Sequence, residues 1–413
     1  MIDWESGYVI GIREEREHIQ LIDVIEESSG SIQPAIAYPL LTGSCALGMR
    51  VRINRTARML GLGSGGYDFV IPDADIRETL AKPENPEFGT ELWLDAKGSP
   101  LSACAENQKT GTDRSHFAMK RQAGHIMKLR YTPMQLKVHA IEEPTHPLHS
   151  RIYGKDSLHN CPVIVAELHS MVPVLCSVLQ YLTSHSCQIA YVMTDGGALP
   201  AMMSKNCQEL KQKHLLAGVV TVGNAFGGDI EAINLYSGLL AARYALQADA
   251  IIVAMGPGIT GSGTTYGHTG IEQGVALNAI HTLRGHGIPV LRCSATDRRK
   301  RHDGISHHTL TSLMQVSLVS GSIGVPEIAS STVKEKIWDQ LIGHRICERY
   351  EIIETGCSHV SDAFRQYGIH CSSMGRTYED DPVFFDMAGA AAEVAVRSTA
   401  WRKSLRYAED VRN

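Results

Sequence analysis

The sequence predicts an α/β protein: a doubly wound, mostly parallel sheet preceded by a small β-rich, barrel-like N-terminal domain. Three observations carry this reading. Residues 1–150 hold short alternating or β-branched runs at roughly 8–12-residue spacing, broken by turn residues, the pattern of a small barrel or sandwich. Residues 151–413 alternate apolar runs with helical stretches, the pattern of a parallel sheet. Those apolar runs are apolar throughout, as strands are when helices cover both faces.

In the first part, strands are expected at 8–12, 18–24, 35–41, 50–54 and 67–71. Turn signals separate them at 28–31 and 42–44 and in the glycine cluster 61–66. Residues 72–115 are rich in Pro, Asp, Glu and Ser and read as loop. A further hairpin spans 124–131 and 135–141 around Thr132 and Pro133, and 142–157, with Pro144 and Pro147, reads as a linker. Strands then follow at 162–167, 188–193, 218–222, 250–255, 288–292 and 350–354. Helices fall at 173–185, 199–216, 229–247, 271–284, 306–318, 359–367 and 383–401, with Asp229 expected to cap its helix.

The chain has 413 residues, enough for two or three domains at about 100–200 residues each. Apolar residues make up 43% and charged residues 20%, which excludes a disordered polymer. Lys plus Arg is 39 against 44 Asp plus Glu, so 39 − 44 = −5. That balance argues against a general nucleic-acid binder, which would carry a basic excess. No apolar stretch approaches the roughly 20 residues that span a bilayer, so no membrane association is expected. The acidic start is no signal peptide. Ten cysteines without a Cys-x-x-Cys pair read as free thiols, so a cytoplasmic location is expected.

Ligands of open parallel sheets bind beyond the carboxyl ends of the strands. Here those ends are polar or glycine-rich: Glu167-Leu168-His169-Ser170, Thr194-Asp195-Gly196-Gly197, Gly223-Asn224, the run 256–270 and the run 294–308. Turns always attract Gly and Asp, but several of these loops exceed the roughly 2–6 residues that connection needs. The glycine-rich loop offers Gly256, Gly258, Gly261, Gly263, Thr264 and Thr265 for binding an anion through backbone amides and hydroxyls. Its formal Gly-x-Gly-x-x-Gly does not open a helix at once, so it is a poor dinucleotide fingerprint. A flexible lid or a structural loop is the competing reading.

The second feature is the basic loop after the strand at 288–292. From Arg292 to Asp303 it carries five Lys or Arg (292, 298, 299, 300 and 301) and two Asp (297 and 303), so 5 − 2 = +3 locally. Arg298, Arg299 and Arg301 suit an anionic group, with Asn224 as a further contact. Ser306 is an expected N-cap, which puts His307 and His308 in a first helical turn where the dipole favours neutral imidazole. Adjacent helical residues do not share a face, so one of the two is expected to point into the site. His307 and His308 are thus the candidate acid and base, with Asp297 or Asp195 to orient them. A metal reading would take His302, His307 or His308 with Asp297 or Asp303. That spacing matches no standard signature, so no metal ligand is assigned and the cofactor stays unspecified. A solvated charge run and a capping histidine are the plain alternatives.

Cys293 and Cys357 stand at strand ends, and Arg376 could join the rim. Asp386 could cap the last helix. His125, Lys128 and Arg130 are read as one strand face, either solvated or closing over the crevice.

The segments 124–133, 231–238, Gly256-Pro257-Gly258 and 301–309 together resemble the DUF3866 family, an uncharacterised bacterial family, over nearly the whole chain. The histidine segment is the most specific part of the likeness. The resemblance implies a bacterial, cytosolic protein and implies no reaction.

The residues themselves suggest an enzyme, a transferase or hydrolase acting on a small anionic metabolite, phosphorylated or carboxylated. The alternative is a non-enzymatic ligand sensor or assembly module whose β-rich domain binds a partner or nucleic acid through Arg50, Arg52, Arg55 and Arg58. The sequence leaves open whether the chain forms a homo-oligomer.

Overall fold

Five strands close on themselves at the N-terminal end of the computed structural model. They are β1 (Trp4–Arg16), β2 (Ile19–Glu26), β3 (Ile32–Ala37), β4 (Arg50–Asn54) and β5 (Asp68–Pro72). The structure describes residues 3–73 apart from 17, 60 and 62–65, then 125–398 apart from 131–133, 135, 357 and 358, and Trp401. The loop expected over 72–115, beyond Asp73, therefore lies outside the described residues. So do the Thr132-Pro133 turn, Cys357 and most of the glycine cluster.

The barrel follows from alternation. Val51 and Ile53 point inward with Val9, Ile22, Val24, Ala35 and Val70, while Arg52 between them faces out. Register shifts in β1, between Val9 and Gly11 and between Ile12 and Glu14, curve that long strand so that it can pair with both β2 and β4. The run expected over 35–41 ends at Ala37, because Pro39 starts a helical turn, Pro39–Thr42. Contacts divide the chain into two compact units, Met1–Ala123 and Gly124–Asn413.

The second unit starts with the hairpin β6 (Ile126–Lys128) and β7 (Leu136–Val138). His125 and Lys128 do not share a face: the His125 side chain is exposed and Lys128 is buried. Residues three apart on a strand point to opposite sides. Lys128 Nζ donates to the Thr221 carbonyl (3.1 Å) and to Glu231 (2.6 Å), so it is an internal anchor and not a solvated or closing face.

Six parallel strands follow: β8 (Pro162–Val165), β9 (Ile189–Thr194), β10 (Gly218–Thr221), β11 (Ile230–Glu231), β12 (Ala250–Met255) and β13 (His286–Pro289). Their order in the sheet is β11-β10-β9-β12-β8-β13. Helices α1 (Val172–Leu182) and α2 (Lys205–Gln212) pack on one face, against Ile164, Tyr191, Met193 and Ile252. Helices α3 (Leu235–Leu240) and α4 (Glu272–Thr282) pack on the other, against Val163, Val192, Ile251 and Val253. The sheet is doubly wound, and its uniformly apolar strands are the consequence of burial on both sides.

Beyond β13 come the short antiparallel pair β14 (Cys293–Ser294) and β15 (Gly304–Ile305), then α5 (His307–Thr311), which runs on as a wider turn over Ser312–Val316. A parallel pair, β16 (Gly321–Pro326) and β17 (Tyr350–Thr355), brackets α6 (Ser331–Gly343). The chain continues with α7 (Val360–Tyr367) and α8 (Pro382–Arg397), whose Phe384, Phe385, Ala388, Ala391 and Ala395 join the core on the α1 face. Among the described residues, no helix is long and apolar enough to cross a membrane.

Several expected boundaries move. The helix placed at 229–247 begins at Leu235, because Ile230–Glu231 first pairs with β10 as an edge strand. Asn234 is its cap, accepting from the Ser237 amide at 3.1 Å. Asp229 does not cap; it accepts from the Val219 amide at 2.8 Å and pairs with Lys211. The helix at 199–216 shortens to α2 behind Ser204, whose hydroxyl accepts from the Cys207 amide at 3.0 Å. Asp386 lies inside α8 and not at its start, and no strand forms at Ile369-His370. Eight cysteines among the described residues are free, six of them buried. Burial pushes the Cys293 thiol far up, so it is an inert apolar side chain.

His169 shows how fully the interior is satisfied. Its Nδ1 meets the Tyr191 hydroxyl at 3.1 Å and its Nε2 the Ser204 hydroxyl at 2.7 Å. Burial pushes its pKa down to about 4. The unfolded chain therefore binds this proton more readily than the folded one, and the neutral ring's contribution is lost as pH falls from about 6.5 toward 4. In urea titrations at pH 7 and pH 5, the wild type is expected to lose on the order of 2 kcal/mol more than His169→Gln over that interval. Equal losses in the two proteins would refute the assignment.

Candidate active site at the carboxyl edge of the sheet

The two strands flanking β12, β8 and β9, lead into helices on one face, whereas β12 leads into a helix on the other. The chain thus departs in opposite directions on both sides of β12, which opens a crevice at its carboxyl end. The loop 256–270 leaves from that point.

On the β8 side, Glu167 follows the strand directly and is 1% exposed. Its Oε1 accepts from Arg292 Nη1 at 2.8 Å and lies 3.1 Å from His308 Nδ1, while Oε2 accepts from the Thr309 hydroxyl at 2.7 Å. Burial alone would raise the Glu167 carboxyl. The hydrogen bond from His308, the charge of Arg292 and the Thr309 hydroxyl outweigh it and bring the pKa down to about 2. A carboxylate can only accept, so His308 directs a proton on Nδ1 at Glu167 and turns Nε2 the other way. That Nε2 is buried and has no hydrogen-bond partner among the described residues.

Three more histidines surround His308. His268 stacks on it with ring centres 3.9 Å apart and planes 9° apart. His302 lies 5.0 Å away and His307 4.3 Å away. Each of the three is held neutral by burial first. The charges of Arg292 and Arg299 add to this at His302, bringing it to about 3, and neighbouring His308 adds to it at His268, bringing it to about 4. His307 is shifted down in the same way by burial and His308.

The fold brings these rings together through the β14–β15 pair, which sends the basic loop out and returns it beside β13. The Ser306 amide donates to the Arg292 carbonyl at 2.8 Å, and Ser306 caps α5 as expected, accepting from the His308 amide at 3.2 Å. His307 and His308 both line the cluster, contrary to the expectation that only one would. His307 is the first helical residue, and its side chain leans back toward the helix start, where Nδ1 meets the Arg301 carbonyl at 3.3 Å.

The glycine-rich loop passes directly over this group. A Cβ on Gly261 would stand 3.1 Å from His308 Nε2, and one on Gly270 3.0 Å from Glu167 Cγ. Gly258 has φ +88°, a conformation other residues rarely adopt. Gly256 is buried, whereas Gly263, Thr264 and Thr265 form an exposed tip. The loop folds on itself there, with the Ser262 amide donating to the Gly267 carbonyl at 2.7 Å and the Thr264 amide to the Ser262 hydroxyl at 3.2 Å.

Asp297 and Asp195 are not the carboxylates that orient the histidines; Glu167 orients His308. Asp297 is gripped by Arg299 (2.7 and 2.9 Å), which holds its carboxyl far below the usual range. Asp195 belongs to the β9 end, where it accepts from the Asn224 backbone N–H at 2.8 Å, and the Asn224 side-chain Oδ1 accepts from the Leu129 backbone N–H at 3.2 Å. Beside it, Glu272 receives the Thr194 hydroxyl at 2.5 Å; burial, only partly offset by that bond, raises its carboxyl. Arg301 Nε donates to His302 Nε2 at 3.2 Å. Arg298, Arg299, Asp297 and Arg376 line an open cleft of about 710 Å³. Met374 also lines this cleft, with Sδ 2.9 Å from Arg299 Nη2 and 3.8 Å from Arg292 Nη2.

The structure brings His307, His308, Gly261 and Arg301 together with His302, which the sequence offered only as a metal ligand, and with Glu167, Arg292 and His268, which it offered only as parts of a strand end, a basic run and a loop. Glu167 had a signal: a lone acid ending a run of apolar strand residues.

These elements define an α/β protein with a doubly wound parallel sheet and a buried carboxylate–histidine pair at its switch point. The model of the DUF3866 family, described as a protein of unknown function, matches residues 34–392, and the chain belongs to that family. No curated protein matches it.

Removing Glu167 would strand the Arg292 guanidinium in the interior. Glu167→Leu alone is expected to cost about 3–5 kcal/mol, and the pair Glu167→Leu with Arg292→Met markedly less. Urea denaturation reads both; a double variant as unstable as the single one would show that the ion pair is not the source of the loss.

Proposed function

We propose that the protein is an enzyme of the hydrolase or transferase kind, acting on a small anionic metabolite at the carboxyl edge of its parallel sheet. The observation that carries this is the His308 ring: Nδ1 on a buried carboxylate, Nε2 buried without a hydrogen-bond partner among the described residues. That arrangement suits a base whose acceptor faces the reaction, because the carboxylate sets both tautomer and orientation. Arg298 supplies the positive wall for a phosphate or carboxylate group, flanked by Arg299 and Arg376, whose charge Asp297 and Asp381 partly offset, while the glycine-rich loop lies over His308 at Gly261. His307 is the second proton carrier. Asp297 serves the anion wall by positioning Arg299, and Asp195 and Asn224 close the β9 end of the rim. The family resemblance agrees with a bacterial, cytoplasmic setting.

The barrel offers weaker support for a nucleic-acid role. Arg50 pairs with Glu27 at 2.8 Å, Arg55 with Asp3 at 2.7 Å and Arg58 with Asp68 at 2.9 Å, while Arg52 lies over the Trp4 ring. The charge of Arg50, Arg55 and Arg58 is taken up within the barrel itself.

The test is a thermal-shift and turnover screen with phosphorylated and carboxylated metabolites and their chromogenic esters. Binding of one class should raise Tm in the wild type and in His308→Ala, and fail in Arg298→Ala/Arg299→Ala. Turnover should fall about 10²–10⁴-fold in His308→Ala. Stabilisation that survives the double arginine change, or turnover indifferent to His308, overturns the proposal.

A further inference from the structure

We propose that His302, His307 and His308 form a binding site for one divalent transition-metal ion of the zinc type. One ring nitrogen from each of the three lies within 4.8 Å of the others. More telling is what holds the opposite nitrogen. Nδ1 of His302 is 2.8 Å from the Ser306 hydroxyl, Nδ1 of His307 is 3.3 Å from the Arg301 carbonyl, and Nδ1 of His308 is 3.1 Å from Glu167. The acceptors behind Nδ1 of His307 and His308, and the Arg301 donor at Nε2 of His302, are the contacts that present Nε2 of each ring as the ligating nitrogen. Metal-binding histidines are oriented in this manner, by a carboxylate or carbonyl behind the ring.

The cluster already draws a cation. Arg301 Nε donates to His302 Nε2 at 3.2 Å, from a side chain that is otherwise exposed and free to swing outward. His308 Nε2, in contrast, is buried without a hydrogen-bond partner among the described residues. Zinc bonds imidazole at about 2.0–2.1 Å, so the three nitrogens need to close by only about 1 Å. His268 is not a fourth ligand. Its plane is parallel to that of His308 and displaced by the 3.9 Å stacking distance, so lone pairs of the two rings do not meet at one point. It roofs the site instead. Three protein ligands leave a coordination position open, as in catalytic and not structural zinc sites. All-imidazole ligation selects zinc, cobalt or nickel over magnesium or calcium, which require oxygen. The sequence spacing hid the site because its ligands sit on a short turn and a helix start joined by β15, not on one regular element.

An ion here would occupy the lone pairs that the metal-free chain offers as proton acceptors, so His307 and His308 would act as ligands and not as proton carriers while it is bound. The site rests on the reading under Proposed function for its place beside an anion-binding rim, and its existence does not. The full chain, stripped with a chelator, is titrated with zinc by calorimetry and with cobalt by visible absorption, without any substrate. One ion per chain is expected, with the intense visible bands of four-coordinate cobalt. His307→Ala, at a half-buried ring, should weaken binding at least about 10-fold. Glu167→Gln, which keeps all three rings, should weaken it about 10–100-fold. His125→Ala, at an exposed histidine, should leave it unchanged. Circular dichroism confirms that each variant is folded. Zinc binding of equal strength and stoichiometry in wild type and in His302→Ala/His307→Ala overturns the proposal, as does a wild type that binds no ion. Metal binding without anion binding or turnover would instead sink the enzymatic reading and leave the site standing. Turnover that needs His308 in a protein that binds no metal would do the reverse.

Discussion

A single buried carboxylate organises the second unit. Glu167 stands at the carboxyl end of β8 with Arg292, His308 and Thr309 bound to its two oxygens. These partners come from beyond β13 and from α5, so one side chain ties β8, the neighbour of the edge strand β13, to the segment that returns across that edge. A lone carboxylate this deep would be expelled or protonated. Three donors in fixed positions keep it charged, and the same requirement fixes the rotamer and tautomer of His308. Order in the interior and chemistry at the rim have one cause.

The glycines of the 256–270 loop belong to the same arrangement. Gly261 and Gly270 lie where a methyl group would press on His308 and Glu167. The loop can therefore lie flat on the pair and shield it, while its tip bends back on itself through Ser262. Glycine here answers a need for close approach more than one for backbone amides aimed at a ligand.

Much of this was legible beforehand. The barrel strands announced themselves through alternation, and the sheet strands through uninterrupted apolar runs of four to six residues. That the polar strand ends would share one edge followed from parallel topology alone. Less visible were features decided by distant partners. Ile230–Glu231 looks like the opening of a helix and becomes a strand because β10 offers an unpaired edge. β16 contains two glycines and a proline, weak strand formers, and exists because it pairs with β17. Glu167 and His308 are 141 residues apart, and no local pattern links them. Asp297 was the nearer carboxylate in the chain, but its arginine neighbours claim it first.

The chain separation of the site's members also orders its assembly. His302, His307 and His308 fall within one seven-residue span, so gathering them closes only a small loop and costs little chain entropy. Their alignment, in contrast, waits on a contact spanning more than a hundred residues, which forms only when β8 and the region after β13 have docked. A nascent or partly melted chain would thus hold the rings as a loose cluster, and only the completed sheet would turn them into an aimed set. Reactivity is locked to the finished fold through its slowest-forming contact.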